Sequence, residues 1–454
     1  MLFNSYVFLL AFLPVAVAVY AIADRFSGAR IPVLVVLSLT FYSYWDIRFL
    51  PIMVLSILGN WLAARAFAAT RAPAIITAAI VLDLAVLGVF KYTNFFASIL
   101  GELIGRPLPE LALVLPLGIS FFTFHHIMYL VDLRRGRAPL YALDRYALYI
   151  CFFPQAISGP IARWNEVMHQ FGERAFAPGW EKRCAVGVAF IVIGLLQKTA
   201  LADPLAHALD PVYEEAARGP LLMSNPWLAP AFALQIFFDF AGYSDIAIGL
   251  GLIFGVRLPR NFETPLRATG IRDFWRRWHM TLSRFLRDYL YIPLGGNRHG
   301  LSRQLAAMFV TMALGGLWHG AGWTFILWGC LHGFALGIAT LWAKYLPPPP
   351  AVVGWVLTFM FVVATFVLFR AGSLAATWHI FAGLANAAPG HPEGGRTVLA
   401  ALLCALLLPP SHVIVSRLTE VPRIPVALGL GAALCMILIM VGDRESYQFV
   451  YFQF

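Results

Sequence analysis

Long apolar segments recur along the whole sequence, and they constrain the fold more than any other feature. Of the 454 residues, 60% are hydrophobic and only 12% are charged, and the mean hydropathy is +0.75. Soluble domains carry about 25% charged residues, so this composition predicts a polytopic membrane protein. A helix satisfies its own backbone hydrogen bonds in lipid. We therefore predict an all-α transmembrane bundle of about 10–12 spans, each of about 20 residues.

Twelve segments are apolar enough to be candidate spans. They are 6–24, 31–45, 49–69, 74–104, 111–131, 183–205, 226–255, 304–321, 323–344, 352–370, 396–416 and 424–441. The 74–104 segment carries Lys91 and Tyr92 at its middle, so we expect it to be tilted or interrupted. Segments 140–162 and 372–386 are short or broken by Pro and Gly, which favours re-entrant or interfacial helices. We expect a single integral-membrane domain, 1–454, whose first segment is a retained span rather than a signal peptide.

The basic loops predict the orientation of these spans, because loops rich in Lys and Arg stay in the cytoplasm. If the predicted spans are correct, all of these loops fall on one side of the membrane. They contain Arg25, Arg30, Arg65, Arg71, residues 134–137, Lys182, Arg183, residues 257–303, Lys344, Arg417 and Arg423. Both termini and the acidic loop Asp210–Glu215 then lie outside. The 257–303 segment holds ten arginines against three acidic residues. We attribute this charge to the cytoplasmic face and its lipid headgroups, and we expect no nucleic-acid partner.

No metal site is predicted from the cysteines or from the paired histidines. The five cysteines are scattered in or beside apolar segments, and none has CxxC spacing, so neither a zinc site nor a disulfide framework is indicated. His125 and His126 are adjacent and point in different directions, so metal binding there would need further ligands. We expect them to be structural or pore-lining polar residues.

The basic segment contains a helical pattern. Between Asp273 and Tyr291, aromatic residues, leucines and His279 recur at steps of three and four, with arginines on the opposite face. This pattern predicts one amphipathic helix at the membrane interface. The arginines either face solvent and lipid or, for a few such as Arg276 and Arg277, bind the phosphates of an anionic donor. The following turn, which includes Asn297, resembles a phosphate-binding glycine loop only weakly.

The residues Gly315–Trp323 place His319, two tryptophans and four glycines inside an apolar segment. An ionisable side chain at membrane depth is functional by default, although a satisfied histidine in a packed helix turn is the alternative. The glycines weaken a helix, and broken backbone at that depth must be buried in protein or line a wet cavity. We therefore expect His319 at the bottom of a funnel or tunnel rather than facing lipid.

Two carboxylates also lie within an apolar span. Asp239 and Asp245 are six residues apart, so they lie on different faces of a regular helix and do not form a paired acid/base site. For Asp245 a structural hydrogen-bonding role is favoured over catalysis. No internal repeat is evident, which counts against a transporter built from inverted repeats.

Taken together, the ordered motifs resemble the membrane-bound O-acyltransferase (MBOAT) superfamily, and its bacterial alginate O-acetylase branch in particular. The motifs are Phe237–Asp245, Asn261–Phe262, Phe274–His279, Leu286–Arg298 and Gly315–Ala321, with support from Pro116–Phe124, Tyr129–Asp132, Phe153–Gln155, Ser158–Ile161 and Tyr451–Phe454. The sequence departs from the family pattern at Ala241, where a serine is usual, and at His125 and His126, where an uncharged polar pair is expected.

The resemblance implies that His319 is the catalytic histidine and that His279 is the second family position, toward the cytoplasm. Candidate substrate-binding residues are Trp318, Asn261, Asp245, Arg276, Arg277 and Asn297. No oxyanion hole can be assigned from the sequence, although Trp318, Trp323 and Asn261 could donate hydrogen bonds.

The resemblance also implies the substrates. The expected donor is a cytoplasmic acyl thioester, with acetyl-CoA as co-substrate and no bound cofactor. The expected acceptor is an exported polysaccharide such as alginate, or a periplasmic acetyltransferase or acetylesterase-like partner, at the bacterial inner membrane. Two alternatives stay open: a transporter or flippase without acyl transfer, in which His319 relays protons or binds substrate, and a structural membrane scaffold.

Overall fold

A computed structural model describes residues 1–221, 229–385, 393–420, 423–443 and 449, and the regular elements in these ranges are all helices. The predicted all-α polytopic fold is therefore confirmed. The supporting motif Tyr451–Phe454 lies outside the described residues. The chain divides into two compact units, one of Met1–Ile193 with Tyr243–Pro259 and one of Gly194–Gly242 with Arg260–Phe454.

The helices are numbered in chain order. They are α1 Leu13–Ala23, α2 Arg30–Ser43, α3 Leu50–Thr70, α4 Pro73–Leu103, α5 Ile119–Arg134, α6 Leu143–Cys151, α7 Phe153–Ala156, α8 Trp164–Val167, α9 Trp180–Leu196, α10 Asp203–Arg218, α11 Ala231–Ile253, α12 Ile271–Arg277, α13 Met280–Leu286, α14 Leu301–His319, α15 Trp323–Tyr345, α16 Ala351–Arg370, α17 Leu374–Ala385, α18 Glu393–Leu407, α19 Ser411–Leu418 and α20 Arg423–Asp443. Three π-helical turns, Val7–Phe12, Gln197–Ala202 and Arg287–Tyr291, adjoin α1, α9 and α13.

Among the described residues, seven helices are long and apolar enough to cross a membrane, or eight if the bent pair α18 and α19 is one span. This count is lower than the 10–12 expected from the sequence. The apolar helices Val7–Ala23, Arg30–Ser43 and Leu374–Leu384 are shorter than a full span. The predicted span 111–131 becomes helical only at Ile119, and this helix, α5, is almost entirely buried in protein. The difference arises mainly from helix length and breaks, which hydropathy alone does not predict: three of the expected spans form helices of fewer than 18 residues, and a fourth is the bent pair α18 and α19.

Three local expectations differ from the structure. The 74–104 segment forms one continuous helix of 31 residues, α4, so the expected interruption at Lys91 is absent, whereas the alternative of a tilted helix stays a prediction. The acidic residues Asp210–Glu215 do not form a loop but belong to α10. α9 continues through the π-helical turn into α10 as a single run, Trp180–Arg218, of 39 residues. The π-helical turn lets the helix continue beyond the end of the apolar sequence, although hydropathy predicts that the helix ends there.

The hairpin of α14 and α15, in the second unit, explains the glycines near His319. Gly315 and Gly316 do not break the helix, since both lie inside α14. A Cβ atom added at Gly316 would overlap the carbonyl oxygen of Phe325 and come within 2.9 Å of the Gly329 Cα. Small residues let two helix backbones approach this closely in membranes. Only the residues Gly320–Gly322 interrupt the helix, and they do so in extended conformation.

Gly316→Ala is expected to destabilise the protein, because its methyl group would push α14 and α15 apart. Overpacking of this kind costs about 1–3 kcal/mol. Gly88 on α4 provides the control, since a Cβ there meets nothing within 4 Å. Thermal unfolding in detergent should show a lower melting temperature for Gly316→Ala and no loss for Gly88→Ala. Equal melting temperatures for the two variants would contradict the close-packing explanation.

Candidate active site

His319 is the last residue of α14, and three aromatic rings enclose its imidazole. The ring centroids of Trp318, Trp328 and Phe369 lie 4.7, 5.2 and 5.2 Å from that of His319, all at steep angles. His319 is only 5% exposed, so, as expected, it does not face lipid. This aromatic cage is contributed by α14, α15 and α16 within the second unit. It holds the imidazole in a dry, apolar setting.

His279 lies at a break in the basic segment, where the sequence predicts one continuous helix over 273–291. That prediction is wrong, because α12 ends at Arg277 and α13 starts at Met280, with His279 between them at φ +39°. Asn261 explains the break. Its backbone carbonyl accepts from the Met280 N–H, and its side-chain oxygen accepts from Thr281, replacing bonds within a helix. The helical periodicity still places His279 correctly, since its side chain is fully buried.

The hydrogen bond between His279 and Asn261 assigns the protons of the imidazole. The Asn261 Oδ1 atom lies 3.3 Å from the Thr281 backbone N–H, which can only donate, so the amide orientation is set. The same oxygen lies 3.1 Å from the His279 Nδ1 atom, which must therefore carry a hydrogen. Nε2 is then the basic nitrogen. Burial lowers the pKa of His279 to about 3, because desolvation disfavours the charged ring, so the ring is neutral.

We expect His279 to make folding stability depend on pH. An unfolded histidine has a pKa of about 6.5, whereas the pKa of folded His279 is about 3. Between these values the unfolded chain binds a proton that the folded protein does not, so stability is complete above the unfolded pKa and falls with pH below it. The fall in melting temperature from neutral to mildly acidic pH should be smaller in His279→Gln than in the wild type. The control is His169→Gln, which replaces an exposed histidine and should show the same fall in melting temperature as the wild type. An equally large fall in His279→Gln and His169→Gln would refute the expectation.

A third histidine, His332, packs beside the cage and is missed by the sequence analysis. It is fully buried on α15. The Trp275 Nε1–H donates to its Nδ1 atom at 3.3 Å, and its Nε2–H therefore donates to the Thr365 Oγ1 atom at 3.1 Å. Its ring centroid lies 4.5 Å from that of Trp328. The rule that flags His319, an ionisable residue inside an apolar segment, would also have flagged His332.

A continuous run of ring contacts in the second unit connects the two family histidines. Each contact is described by the distance between the two ring centroids. In order, the contacts are His279–Phe240 at 4.7 Å, Phe240–Phe262 at 5.1 Å, Phe262–Trp278 at 5.1 Å, Trp278–Phe274 at 5.5 Å, Phe274–His332 at 6.2 Å, His332–Trp328 at 4.5 Å and Trp328–His319 at 5.2 Å. One aromatic core therefore positions both histidines.

The remaining candidate substrate-binding residues lie in different settings. Arg276 and Asn297 are exposed, whereas the Arg277 Nε atom lies 2.9 Å from the Asp273 carboxylate. Trp318 contacts His319 directly, as described above. Asp245 is buried on α11, in the part of that helix that belongs to the first unit. Their roles toward substrate stay predictions.

Two further expectations concern residues away from the cage. Trp323, a possible hydrogen-bond donor, is 57% exposed at the start of α15. In the first unit, the His126 Nδ1 atom lies 2.6 Å from the Tyr146 hydroxyl and its Nε2 atom 3.3 Å from the Ser56 hydroxyl. These bonds support the structural role expected for His126.

A buried ion-paired cluster was also missed. Lys198, in the π-helical turn after α9, is 1% exposed and lies 2.7 Å from Asp239 and 2.8 Å from Asp203. The Phe449 ring covers its ammonium at 4.6 Å. A lysine inside a predicted span should prompt a search for a partner. Asp239 is that partner, which gives this carboxylate a structural use.

Three buried histidines, His279, His319 and His332, therefore lie among the apolar helices of the second unit. A family profile described as "MBOAT, membrane-bound O-acyltransferase family" matches residues 80–378. The chain belongs to the membrane-bound O-acyltransferase family and is a multi-pass membrane acyltransferase. This membership favours acyl transfer over the transporter and scaffold alternatives.

Individual relatives agree with the family. The chain is 37% identical to the peptidoglycan O-acetyltransferase of Helicobacter pylori over 424 residues, covering 85% of this chain and 80% of that protein. It is 39% identical to the probable alginate O-acetylase AlgI of Pseudomonas aeruginosa over 394 residues, covering 84% and 74%. A teichoic acid D-alanyltransferase of Streptococcus thermophilus is 29% identical over 240 residues, covering 50% and 57%. All three relatives are named for the transfer of an acyl group.

Proposed function

We propose that this enzyme takes an acetyl group from cytoplasmic acetyl-CoA and delivers it across the bacterial inner membrane for O-acetylation of an exported polysaccharide such as alginate. The observation that carries the proposal is His319, buried in an aromatic cage in a family whose relatives are named O-acetylases. The acceptor is either the polysaccharide itself or a periplasmic acetyltransferase or acetylesterase-like partner that completes the transfer.

His319 acts as the general base in this proposal. An acceptor hydroxyl is a weak nucleophile at neutral pH, so a base must remove its proton as it attacks the thioester carbonyl. A neutral imidazole suits this task, and general base catalysis contributes about 10²–10⁴-fold to the rate. The imidazolium then returns the proton to the departing thiolate, so His319 ends the cycle neutral.

The donor docks at the basic segment 257–303. The exposed side chains of Arg276 and Asn297 can reach a ligand from solvent, and guanidinium groups bind phosphates through paired, charge-assisted hydrogen bonds. Coenzyme A carries several phosphates, so this surface suits it. His279, held by Asn261, lies within this segment, and we assign it to the donor side of the reaction.

The test uses membranes from cells that make the protein, incubated with radiolabelled acetyl-CoA and the candidate polysaccharide, with and without a periplasmic extract. We expect label to reach the polymer or a periplasmic protein. Arg276→Ala should raise the KM for acetyl-CoA while leaving kcat close to the wild-type value. If the membranes bind or move polysaccharide but transfer no label, a transporter would replace the proposed function.

A further inference from the structure

The indole N–H of Trp328 is a buried donor beside the proposed base. Trp328 is 1% exposed, and no hydrogen-bond acceptor for its Nε1 atom lies among the described residues. Burying a donor without an acceptor costs free energy, so such groups are rare in native structures and call for an explanation. A ligand or intermediate that accepts this hydrogen bond would provide one.

Three other indoles in the same unit donate to acceptors within the protein. The Nε1–H groups of Trp275, Trp342 and Trp355 donate to the His332 Nδ1 atom, the Pro347 carbonyl and the Leu266 carbonyl at 3.3, 2.7 and 3.0 Å. The acceptors are therefore built into the fold at these three positions. Trp328 differs from them, and it is the one of the four whose ring packs against His319.

The surroundings of Trp328 hold its ring in place. His332 packs on it at 4.5 Å and is itself fixed by hydrogen bonds at both ring nitrogens. Trp275 and Phe369 contact the same indole at 5.9 and 5.3 Å. A donor fixed in advance needs no reorganisation when negative charge develops nearby.

We propose that the Trp328 Nε1–H stabilises the oxyanion of acetyl transfer, an inference that rests on the proposed function. As the oxygen of the acceptor hydroxyl bonds to the thioester carbon, the proton of that hydroxyl passes to His319. At the same time the carbonyl π electrons move to the carbonyl oxygen. Trp328 donates a hydrogen bond to that oxyanion. When the carbonyl re-forms, the carbon–sulfur bond breaks, the electron pair leaves with sulfur, and His319 returns the proton to the thiolate.

Two replacements test this role. Trp328→Phe removes the N–H, and replacing Trp328 with 3-benzothienylalanine exchanges the N–H for sulfur in a ring of nearly the same shape. Loss of one oxyanion donor typically lowers kcat by about 10²–10³-fold. We expect such a fall in both proteins, with the KM for acetyl-CoA within about twofold of wild type. Trp355→Phe is the matched control, because it removes an indole N–H from the same unit away from His319.

The outcomes separate this inference from the proposed function. If the wild type transfers no acetyl group, the proposed function fails and the role of Trp328 fails with it. If the wild type is active and the folded benzothienyl protein keeps its kcat, the N–H has no catalytic role and the inference alone is overturned. The inference is supported if kcat falls in the two Trp328 proteins while their KM and melting temperature stay unchanged, and if Trp355→Phe keeps the wild-type kcat.

Discussion

His319→Ala is expected to reduce acetyl transfer by about 10²–10⁴-fold, the contribution of general base catalysis. The alanine removes the imidazole, which is the proposed acceptor of the proton, from its cage of Trp318, Trp328 and Phe369. The measurement is the initial rate of label transfer from acetyl-CoA to polymer or partner, normalised to the amount of folded protein in the membrane.

The matched control is His379→Ala in α17. His379 is a half-buried histidine of the same unit, and its Nδ1 atom lies 2.9 Å from the Ala216 carbonyl. Its loss should leave the rate near the wild-type value, which separates the chemistry of His319 from the general effect of removing a histidine. Normal acetylation in His319→Ala at normal protein levels would refute the assignment of the base.

The second large effect is expected from Lys198→Met, which should lower the free energy of unfolding by about 3–5 kcal/mol. The substitution leaves Asp203 and Asp239 close together without the ammonium that lies within 2.8 Å of both. An uncompensated buried charge causes a loss of this size. Thermal unfolding in detergent and the yield of monodisperse protein would measure it.

Two further proteins control for this result. Lys198→Met combined with Asp239→Leu replaces the buried pair with apolar residues, and such replacements are often close to neutral, so stability should partly return. Arg218→Met removes an exposed ion pair with Glu214, at 3.7 Å, from the end of the same helical run. That pair contributes about 0–1 kcal/mol at most. A Lys198→Met protein as stable as Arg218→Met would show that the buried cluster does not hold the fold.

How far the sequence predicts the active site differs from residue to residue. His319 is identified because an ionisable ring in an apolar, glycine-rich segment is a local signal. His279 is placed on a buried face correctly, but as part of the wrong element, because the break beside it depends on Asn261, which is 18 residues away in the chain. The glycines are noticed as residues that weaken a helix, whereas the structure keeps Gly315 and Gly316 inside α14 and uses the small size of Gly316 to pack against Gly329.

Composition and local patterning were sufficient for the membrane class, the all-helical fold and the choice of His319 as a candidate site residue, since each depends on residues that are neighbours in the chain. They were not sufficient for the span count, because hydropathy does not predict where each helix begins, ends or bends. Composition and local patterning were also insufficient to identify the partners of buried polar groups. Examples are Lys198 with Asp239 and His332 with Thr365, which are 41 and 33 residues apart. Such partners depend on which helix faces meet, and only packing in three dimensions brings those faces together.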